Sequence, residues 1–182
     1  MDKRKERTRR SKAAFKAAYL ELIKTKEPER VTVMELCEKA GLNRSTFYAH
    51  YSIMADLIKE VLWESVAEVF SGMGPQWNLP LEDGGVERRA IADYLHRFAG
   101  NSTVMRFCTC ENNGKFRNLI IRAHVDLTLG VSTDPVRYYT AYYHNAGVLN
   151  LILEWINNGT PLSEEECVGL IHEFSKVMYR NN

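Results

Sequence analysis

The stretch GLNRSTFYAHY, residues 41–51, combines one glycine, a run of small polar residues and closely spaced aromatic rings. Phe47 and Tyr51 are four residues apart, so on a helix they share one face and can pack together onto the preceding helices. The remaining side chains are left for the helix start and the outward side: Arg44, Ser45, Thr46, Tyr48 and His50. The stretch therefore predicts a short helix with a buried aromatic side and a polar, basic outer side.

The residues before this stretch predict a helix and a tight turn. Thr32-Val33-Met34-Glu35 has the pattern of a capping box, which opens a helix from Val33 to about Ala40. Gly41 follows where a left-handed residue ends a helix, and Asn43 can cap the next helix at Arg44. Helix, glycine turn and short helix together are typical of a helix-turn-helix, whose second helix lies in a DNA major groove.

The outward residues have the chemistry that DNA recognition needs. Arg44 can bridge two acceptors on a guanine edge, while Ser45 and Thr46 can reach a base or a phosphate. Tyr48 and His50 suit phosphate oxygens, and Thr32 sits where helix amides favour a phosphate. The alternatives are a three-helix packing motif without DNA, a Thr32 that serves only as a cap, and a His50 that is an ordinary surface residue.

Charge is unevenly distributed along the 182 residues, although the net charge is only +1. Residues 1–51 hold 13 Lys and Arg against 7 Asp and Glu, a balance of +6, and residues 52–182 hold 11 against 16, a balance of −5. The basic run at the start comprises Lys3, Arg4, Lys5, Arg7, Arg9, Arg10 and Lys12. It predicts an arm along phosphates or in the minor groove, or else a merely solvated tail.

Helical periodicity extends through the rest of the chain, and no strand pattern of useful length occurs. We expect an all-α fold: an N-terminal helix-turn-helix DNA-binding domain, then a helical-bundle regulatory and dimerisation domain. The first domain, residues 1–51, holds the basic arm and three helices, and residues 52–182 form the ligand-sensing and dimerisation domain. The predicted helices cover about residues 9–25, 33–40, 44–50, 51–62, 86–99, 102–110, 115–129, 135–158 and 164–180, with a loop over 71–85.

Composition narrows the class of protein further. Hydrophobic content of 45% and charged content of 26% are ordinary for a soluble globular chain. No apolar stretch approaches the roughly 18 residues of a membrane span, and four scattered cysteines do not suggest a secreted disulfide scaffold. We expect a cytoplasmic protein without membrane contact, cofactor or metal. We also expect no enzymatic activity, since paired carboxylates, a phosphate loop and a metal-ligand cluster are all missing from the sequence.

The stretch VTVMELCEKAGLNRSTFYAHYSIMADLIKEVL, residues 31–62, resembles the DNA-binding domain of the TetR family of transcriptional regulators. The resemblance is carried by Ala40-Gly41-Leu42, Thr46-Phe47-Tyr48, His50-Tyr51 and Leu57. It implies a homodimer that reads a near-palindromic double-stranded DNA operator, most simply a repressor released by a small-molecule effector. It also implies phosphate contacts from Thr32, Tyr48 and His50, and base or backbone contacts from Arg44, Ser45 and Thr46. Met54 stands where the family commonly has a phosphate-binding Lys.

The C-terminal stretch TAYYHNAGVLNLILEWINNGTPLSEEECVGLI, residues 140–171, resembles the regulatory domain of a Gram-positive TetR subgroup that includes activators of dihydroxyacetone kinase genes. Some relatives of that subgroup respond to a partner protein instead of a small ligand. The alternative function is therefore a co-regulator or activator whose body binds another protein.

Two sets of residues in the body are candidates for the ligand site and the dimer contact. Aromatic and histidine side chains that could line a ligand pocket are Phe98, Phe107, His124, Tyr139, Tyr142 and Tyr143. Apolar stripes that could pair two copies comprise Leu149, Ile152, Leu153 and Ile156, and then Val168, Leu170, Ile171, Phe174 and Val177. Both stripes could equally face the core of a single chain.

Overall fold

The computed structural model describes residues 3–71, 73, 88–130, 134–157 and 162–179, and all regular secondary structure in these ranges is helical. The helices are α1 Lys3–Leu22, a 3₁₀ turn Pro28–Arg30, α2 Val33–Ala40, α3 Arg44–Tyr48, α4 Met54–Phe70, α5 Arg88–Gly100, α6 Ser102–Thr109, α7 Asn113–Leu129, α8 Pro135–Asn157 and α9 Glu164–Tyr179. The predicted all-α fold is confirmed. Apart from Ser71 and Met73, the predicted loop over 71–85 lies outside the described residues.

Two helix starts differ from the sequence prediction by three residues or more. α1 begins at Lys3, so the basic run forms its first turns and is not a separate arm. The carboxylate of Glu6 accepts hydrogen bonds from Arg9 and Arg10. Ion pairs between residues one helical turn apart stabilise a helix. α4 begins at Met54 rather than 51, because the carboxylate of Asp56 accepts hydrogen bonds from the amides of Ser52 and Ile53, just before the helix.

The first three helices pack around aromatic side chains. Phe15 and Tyr19 of α1, Leu36 of α2 and Phe47 of α3 are fully buried. Leu57 of α4 joins the same apolar cluster, which continues without a break into the body. The predicted division at residues 51 and 52 stays a prediction, because the core does not stop there.

The body is a layered bundle. α4 packs against α5, α6 and α7, α7 also packs against α8, and α9 packs against α5 and α8. Its centre is filled by large side chains such as Tyr94, Phe98, Ile120 and Ile152. This packing holds α6 beside the end of α1 and leaves one side of α8 and α9 without a neighbour in the described part of the chain.

The apolar stripes predicted for dimer contacts mostly serve the core of this chain. Leu149, Ile152 and Leu153 of α8 are buried, since α7 and α9 cover that side of the helix. On α9, Val168 and Ile171 are also buried, while Leu170 and Phe174 are exposed. The open side of the two helices is therefore built from Phe174 of the predicted stripe together with residues outside it, among them Tyr139 and Tyr143.

Candidate nucleic-acid interface

The turn between α2 and α3 is fixed by its glycine and its caps. Gly41 adopts φ 65° and ψ 29°, a left-handed conformation that glycine accepts without steric cost. The amide of Leu42 donates to the carbonyl of Cys37 at 3.0 Å, which closes the end of α2. The side chain of Asn43 then accepts from the amide of Thr46 at 2.8 Å and opens α3. These contacts confirm the predicted helix-turn-helix and set the angle at which α3 projects.

The inner side of α3 is anchored by Phe47. Its ring is fully buried and meets the ring of Phe15 edge-on, with centroids 5.5 Å apart. It also lies 5.5 Å from the ring of Tyr51, which confirms that this pair packs together onto α1. Because the anchor is rigid and aromatic, the opposite side of the short helix is held outward.

The outer side of α3 presents most of the predicted DNA contacts to solvent. Arg44, Ser45 and Tyr48 are exposed, and Thr46 is half-buried. The hydroxyls of Ser45 and Thr46 both donate to the Asn43 side-chain oxygen, at 2.8 and 2.7 Å. Their protons are thereby engaged, so each oxygen is left as an acceptor for a donor outside the chain.

His50 contacts α1 through a hydrogen bond that the sequence does not predict. Its Nε2 lies 2.6 Å from the Ser11 hydroxyl. Next to it, Lys12 lies over the Tyr51 ring at 5.1 Å and forms an ion pair of 2.6 Å with Glu60 of α4. No sequence signal identifies Ser11, because 39 residues separate it from His50. Within the chain, His50 joins the basic helix to the end of α3.

The N-terminal turns of α1 form a basic surface close to α3. Lys3, Arg4, Lys5, Arg7, Arg9 and Arg10 are all exposed. Hydrogen bonds from Arg9 and then Arg10 hold the pKa of Glu6 below its usual value, so this carboxylate stays ionised among them. Among the described residues of these turns, one acid lies beside six cations, so the surface keeps a strong positive excess.

The N-terminus of α2 carries a complete capping box. The Thr32 hydroxyl donates to Glu35 Oε2 at 2.7 Å and accepts from the Glu35 amide at 3.3 Å, and the Thr32 amide donates to the same carboxylate at 2.9 Å. The ammonium of Lys26 binds the other carboxylate oxygen. Lys26 first and Thr32 second lower the pKa of Glu35 to about 2. Lys26, which the sequence analysis did not single out, therefore offsets the one negative charge at this helix end.

The six residues predicted to bind a ligand do not form one cluster. Phe98 and Phe107 are buried, and the Phe107 ring stacks on Tyr19 at 6.4 Å and contacts Phe116 in a tilted arrangement at 4.9 Å. The three tyrosines of the set lie on α8: Tyr142 is half-buried, and Tyr139 and Tyr143 are 69% and 72% exposed. Tyr139 and Tyr143, four residues apart, share the open side of α8, whereas the Tyr142 hydroxyl donates to Asn118 of α7 at 3.4 Å.

His124 is the most enclosed polar residue of that set. Its Nδ1 lies 3.3 Å from the Tyr94 hydroxyl, and its ring meets Phe70 edge-on at 4.5 Å. Burial, and then the neighbouring His144, lower its pKa to about 3. The imidazole is therefore neutral at physiological pH and acts as a hydrogen-bonding group inside the body.

The open side of α8 and α9 forms an apolar groove of about 950 Å³. Exposed rings stand along it, with Tyr143 on α8 and Phe174, 59% exposed, on α9. Gly147 lies in the same groove in the middle of α8, and a β-carbon there would meet nothing within 4 Å. No feature of the described chain around it needs a glycine at this position.

In the described ranges, no helix is long and apolar enough to cross a membrane. The same ranges contain no group of three or more His, Cys, Asp or Glu residues placed to hold a metal ion.

Comparison with known proteins finds a matching family and a similar curated protein. Residues 16–61, which span the last third of α1 through the first half of α4, match the bacterial regulatory proteins of the tetR family. An uncharacterized HTH-type transcriptional regulator of Bacillus subtilis (strain 168), YxbF, is 28% identical over 172 residues, covering 85% of this chain and 42% of that protein. The chain thus spans less than half the length of this curated relative.

A solved structure resembles the chain along nearly all of its length. The crystal structure of a TetR transcriptional regulator from Rhodococcus sp. RHA1 aligns with a TM-score of 0.49 and 19% sequence identity, covering 97% of this chain and 99% of that one.

Proposed function

We propose that this protein is a TetR-type DNA-binding transcription regulator that works as a homodimer in the cytoplasm. It represses transcription from a near-palindromic operator until a small-molecule effector releases it. One observation carries the proposal. Phe47 anchors α3 to α1, and the exposed Arg44, Ser45 and Tyr48 project from the opposite side. A rigid helix with such an outer side suits insertion into a major groove.

The residues that read bases are Arg44 and the two hydroxyl-bearing residues, Ser45 and Thr46. The Arg44 guanidinium donates in a fork that matches the two acceptors of guanine. The hydroxyls of Ser45 and Thr46 donate to the Asn43 side chain, so we expect their oxygens to accept hydrogen bonds from the amino groups of adenine or cytosine. Together, the three residues can distinguish bases that present hydrogen-bond donors from bases that present acceptors in the major groove.

Phosphate contacts come from the surfaces on either side of α3. Tyr48 is exposed beside the base-reading residues, and His50 stands where α3 meets the basic surface of α1. Thr32, with the first amides of α2, faces a second phosphate once Lys26 has offset the charge of Glu35. Contacts of this kind set orientation and register on the duplex without reading its sequence.

The second copy docks on the open side of α8 and α9. Tyr143 and Phe174 are large rings left in solvent, and aromatic residues are enriched in the buried centre of protein interfaces. Gly147 in mid-helix weakens α8 in a single chain, yet its missing side chain lets a facing helix approach closely. A self-complementary patch of this type closes a two-fold dimer, which matches the symmetry of a palindromic operator.

The effector site lies in the core of the body around His124. The neutral imidazole and the Tyr94 hydroxyl form a polar pair among apolar rings, the usual composition of a small-molecule pocket. Because His124 carries no charge, we propose an uncharged effector that hydrogen-bonds to this pair. Compounds that release the wild-type protein from DNA should fail to release His124→Leu, and release of both proteins alike would refute this site.

A second function fits the exposed rings of α8. We propose as the alternative a co-regulator or activator whose body binds another protein on the open side of α8 and α9. The resemblance of residues 140–171 to the subgroup with protein-dependent regulators supports it, as does the exposure of Tyr139 and Tyr143. A purified chain that stays monomeric and binds DNA only with an added protein would favour this function over the first.

Footprinting on the intergenic DNA upstream of the coding sequence tests the proposal. We expect two protected half-sites related by a dyad, with centres about one helical turn or a multiple apart. Expression of a reporter from that DNA should rise when the protein is removed. Protection without dyad symmetry would contradict the proposed dimer. Reporter expression that falls when the protein is removed would identify an activator.

A further inference from the structure

Arg106 of α6 reaches across from the body to the connection between α1 and α2, residues 23–32. Its Nε donates to the carbonyl of Ile23 at 2.9 Å, and its Nη2 donates to the carbonyl of Lys26 at 3.1 Å. Nη2 also forms an ion pair of 2.7 Å with the Glu27 carboxylate. One half-buried guanidinium thus binds three acceptors on a segment with no regular helix between Leu22 and Pro28.

Further contacts from the body hold the same connection. The Glu111 amide donates to Glu27 at 3.1 Å, and the Asn112 side chain donates to Glu29 at 2.6 Å. Beneath them, the Tyr19 ring of α1 stacks on Phe107 of α6. The connection is therefore held by hydrogen bonds and an aromatic contact from α6 and from the residues between α6 and α7.

The contact with Lys26 leads directly to the N-terminus of α2. Arg106 holds the backbone of Lys26, and the Lys26 ammonium binds Glu35. Glu35 in turn accepts from both the amide and the hydroxyl of Thr32. If Lys26 moved away, the Glu35 carboxylate would stand uncompensated at this helix end and would repel a phosphate.

We propose that Arg106 is a positioning residue for DNA binding: from the body, it fixes the α1–α2 connection so that Lys26 neutralises the cap of α2 and Thr32 can meet a phosphate. The DNA step rests on the proposed function, whereas the fixing of the connection does not. Arg106 itself touches no DNA in this scheme. A displacement of α6 would reach the DNA-facing end of α2 through Arg106, alongside the other contacts that hold the connection.

Two measurements on the full chain test the proposal. The first is amide hydrogen exchange without DNA, which we expect to be faster over residues 23–36 in Arg106→Met than in the wild type. The second is affinity for the footprinted duplex, which should fall about tenfold in Arg106→Met, the loss expected for one hydrogen bond to a charged group. Arg122→Met is the matched control, because it removes an exposed cation from α7 of the same body.

Combination with Lys26→Met separates positioning from a general effect of charge. If Arg106 acts through Lys26, the double variant should bind no more weakly than Lys26→Met alone, since both changes interrupt one chain of contacts. Additive losses would overturn the proposal, and so would Arg106→Met binding within about twofold of the wild type. Arg106→Lys keeps the charge but cannot span three acceptors, so an intermediate loss is expected and full affinity would count against the bridging geometry.

Failure of the proposal can be told apart from failure of the proposed function. A wild-type protein that ignores the duplex would refute the DNA-binding role, while the exchange measurement would still report on Arg106. Unchanged exchange over residues 23–36 in a folded Arg106→Met protein would overturn the positioning role whatever the DNA result.

Discussion

The Ser11 hydroxyl of α1 and the His50 imidazole after α3 lie 2.6 Å apart, although 39 residues separate them along the chain. This hydrogen bond fixes the basic helix α1 relative to the end of α3. Ser11→Ala should lower the free energy of unfolding by about 1 kcal/mol, the usual net value of one such bond. Urea denaturation measures the change, with Thr8→Ala, an exposed α1 residue, as the control. Equal stability of the two variants would mean that the bond does not contribute.

Arg44 is predicted to read a base. Arg44→Ala should cost roughly 1–3 kcal/mol of binding free energy and relax the preference at one base pair of each half-site. Arg7 on the basic surface of α1 provides the contrast, because Arg7→Ala should weaken binding to all sequences alike. Affinities for a set of operators with single substitutions measure both effects. An Arg44→Ala protein with unchanged base preference would assign Arg44 to the backbone instead.

The basic turns of α1 are predicted to contact phosphates. Removal of residues 1–10 should weaken binding to every duplex and flatten its dependence on salt, since each lost phosphate contact lowers the slope of log K against log salt by about 0.9. Arg122→Gln, an exposed change on the body, should leave the slope as it is. If the truncated protein keeps the wild-type slope, the basic run is only a solvated segment of helix.

The buried histidines should make the protein less stable as the pH falls. Burial holds the pKa of His124 at about 3 and that of His144 at about 4, against 6.5 for an ordinary histidine. The unfolded chain therefore takes up protons first as the pH drops below 6.5, and the folded state loses stability from that point. Each histidine should lower the free energy of unfolding by up to about 1.4 kcal/mol per pH unit until the pH reaches its folded pKa.

Denaturation midpoints between pH 6.5 and about pH 5 measure this slope, above the range in which carboxylates titrate. His124→Leu should reduce the slope by about half, because one of two protonation sites is removed. His96→Gln is the control, since His96 lies on the surface beside Glu164. A slope that His124→Leu leaves unchanged would contradict the assignment.

Gly147 is predicted to lie in the dimer contact. Gly147→Leu fills open space in the single chain and should raise the helix propensity of α8, yet it should block a facing helix and leave a monomer. Sedimentation measures the mass, and thermal unfolding checks the fold. Gly114→Leu is a matched change on α7, also into open space, and should remain dimeric. A dimeric Gly147→Leu protein would move the interface elsewhere.

Local rules predict the helix-turn-helix almost residue by residue. The capping box of Thr32 and Glu35, the left-handed Gly41 and the Asn43 cap all act within four residues, so their effect is legible in the sequence. The sequence does not predict the start of α1, because its first turns carry charges and no apolar stripe, and ion pairs around Glu6 stabilise them instead.

Contacts between distant residues were not predictable in the same way. The bond between His50 and Ser11 and the reach of Arg106 to Ile23 depend on how helices pack, and no short motif records them. Periodicity likewise identifies an apolar stripe on α8 without saying what covers it. α7 and α9 cover Leu149 and Ile152, and the exposed rings belong to Tyr139 and Tyr143.

The most direct test is a salt titration of the purified protein on its own upstream intergenic DNA, against a scrambled duplex of equal length. A dimer that reads bases through α3 and phosphates through α1 should prefer the natural duplex, and its binding should weaken steeply as salt rises. Equal and weak binding to both duplexes would contradict that account and would direct attention to a protein partner on the open side of α8 and α9.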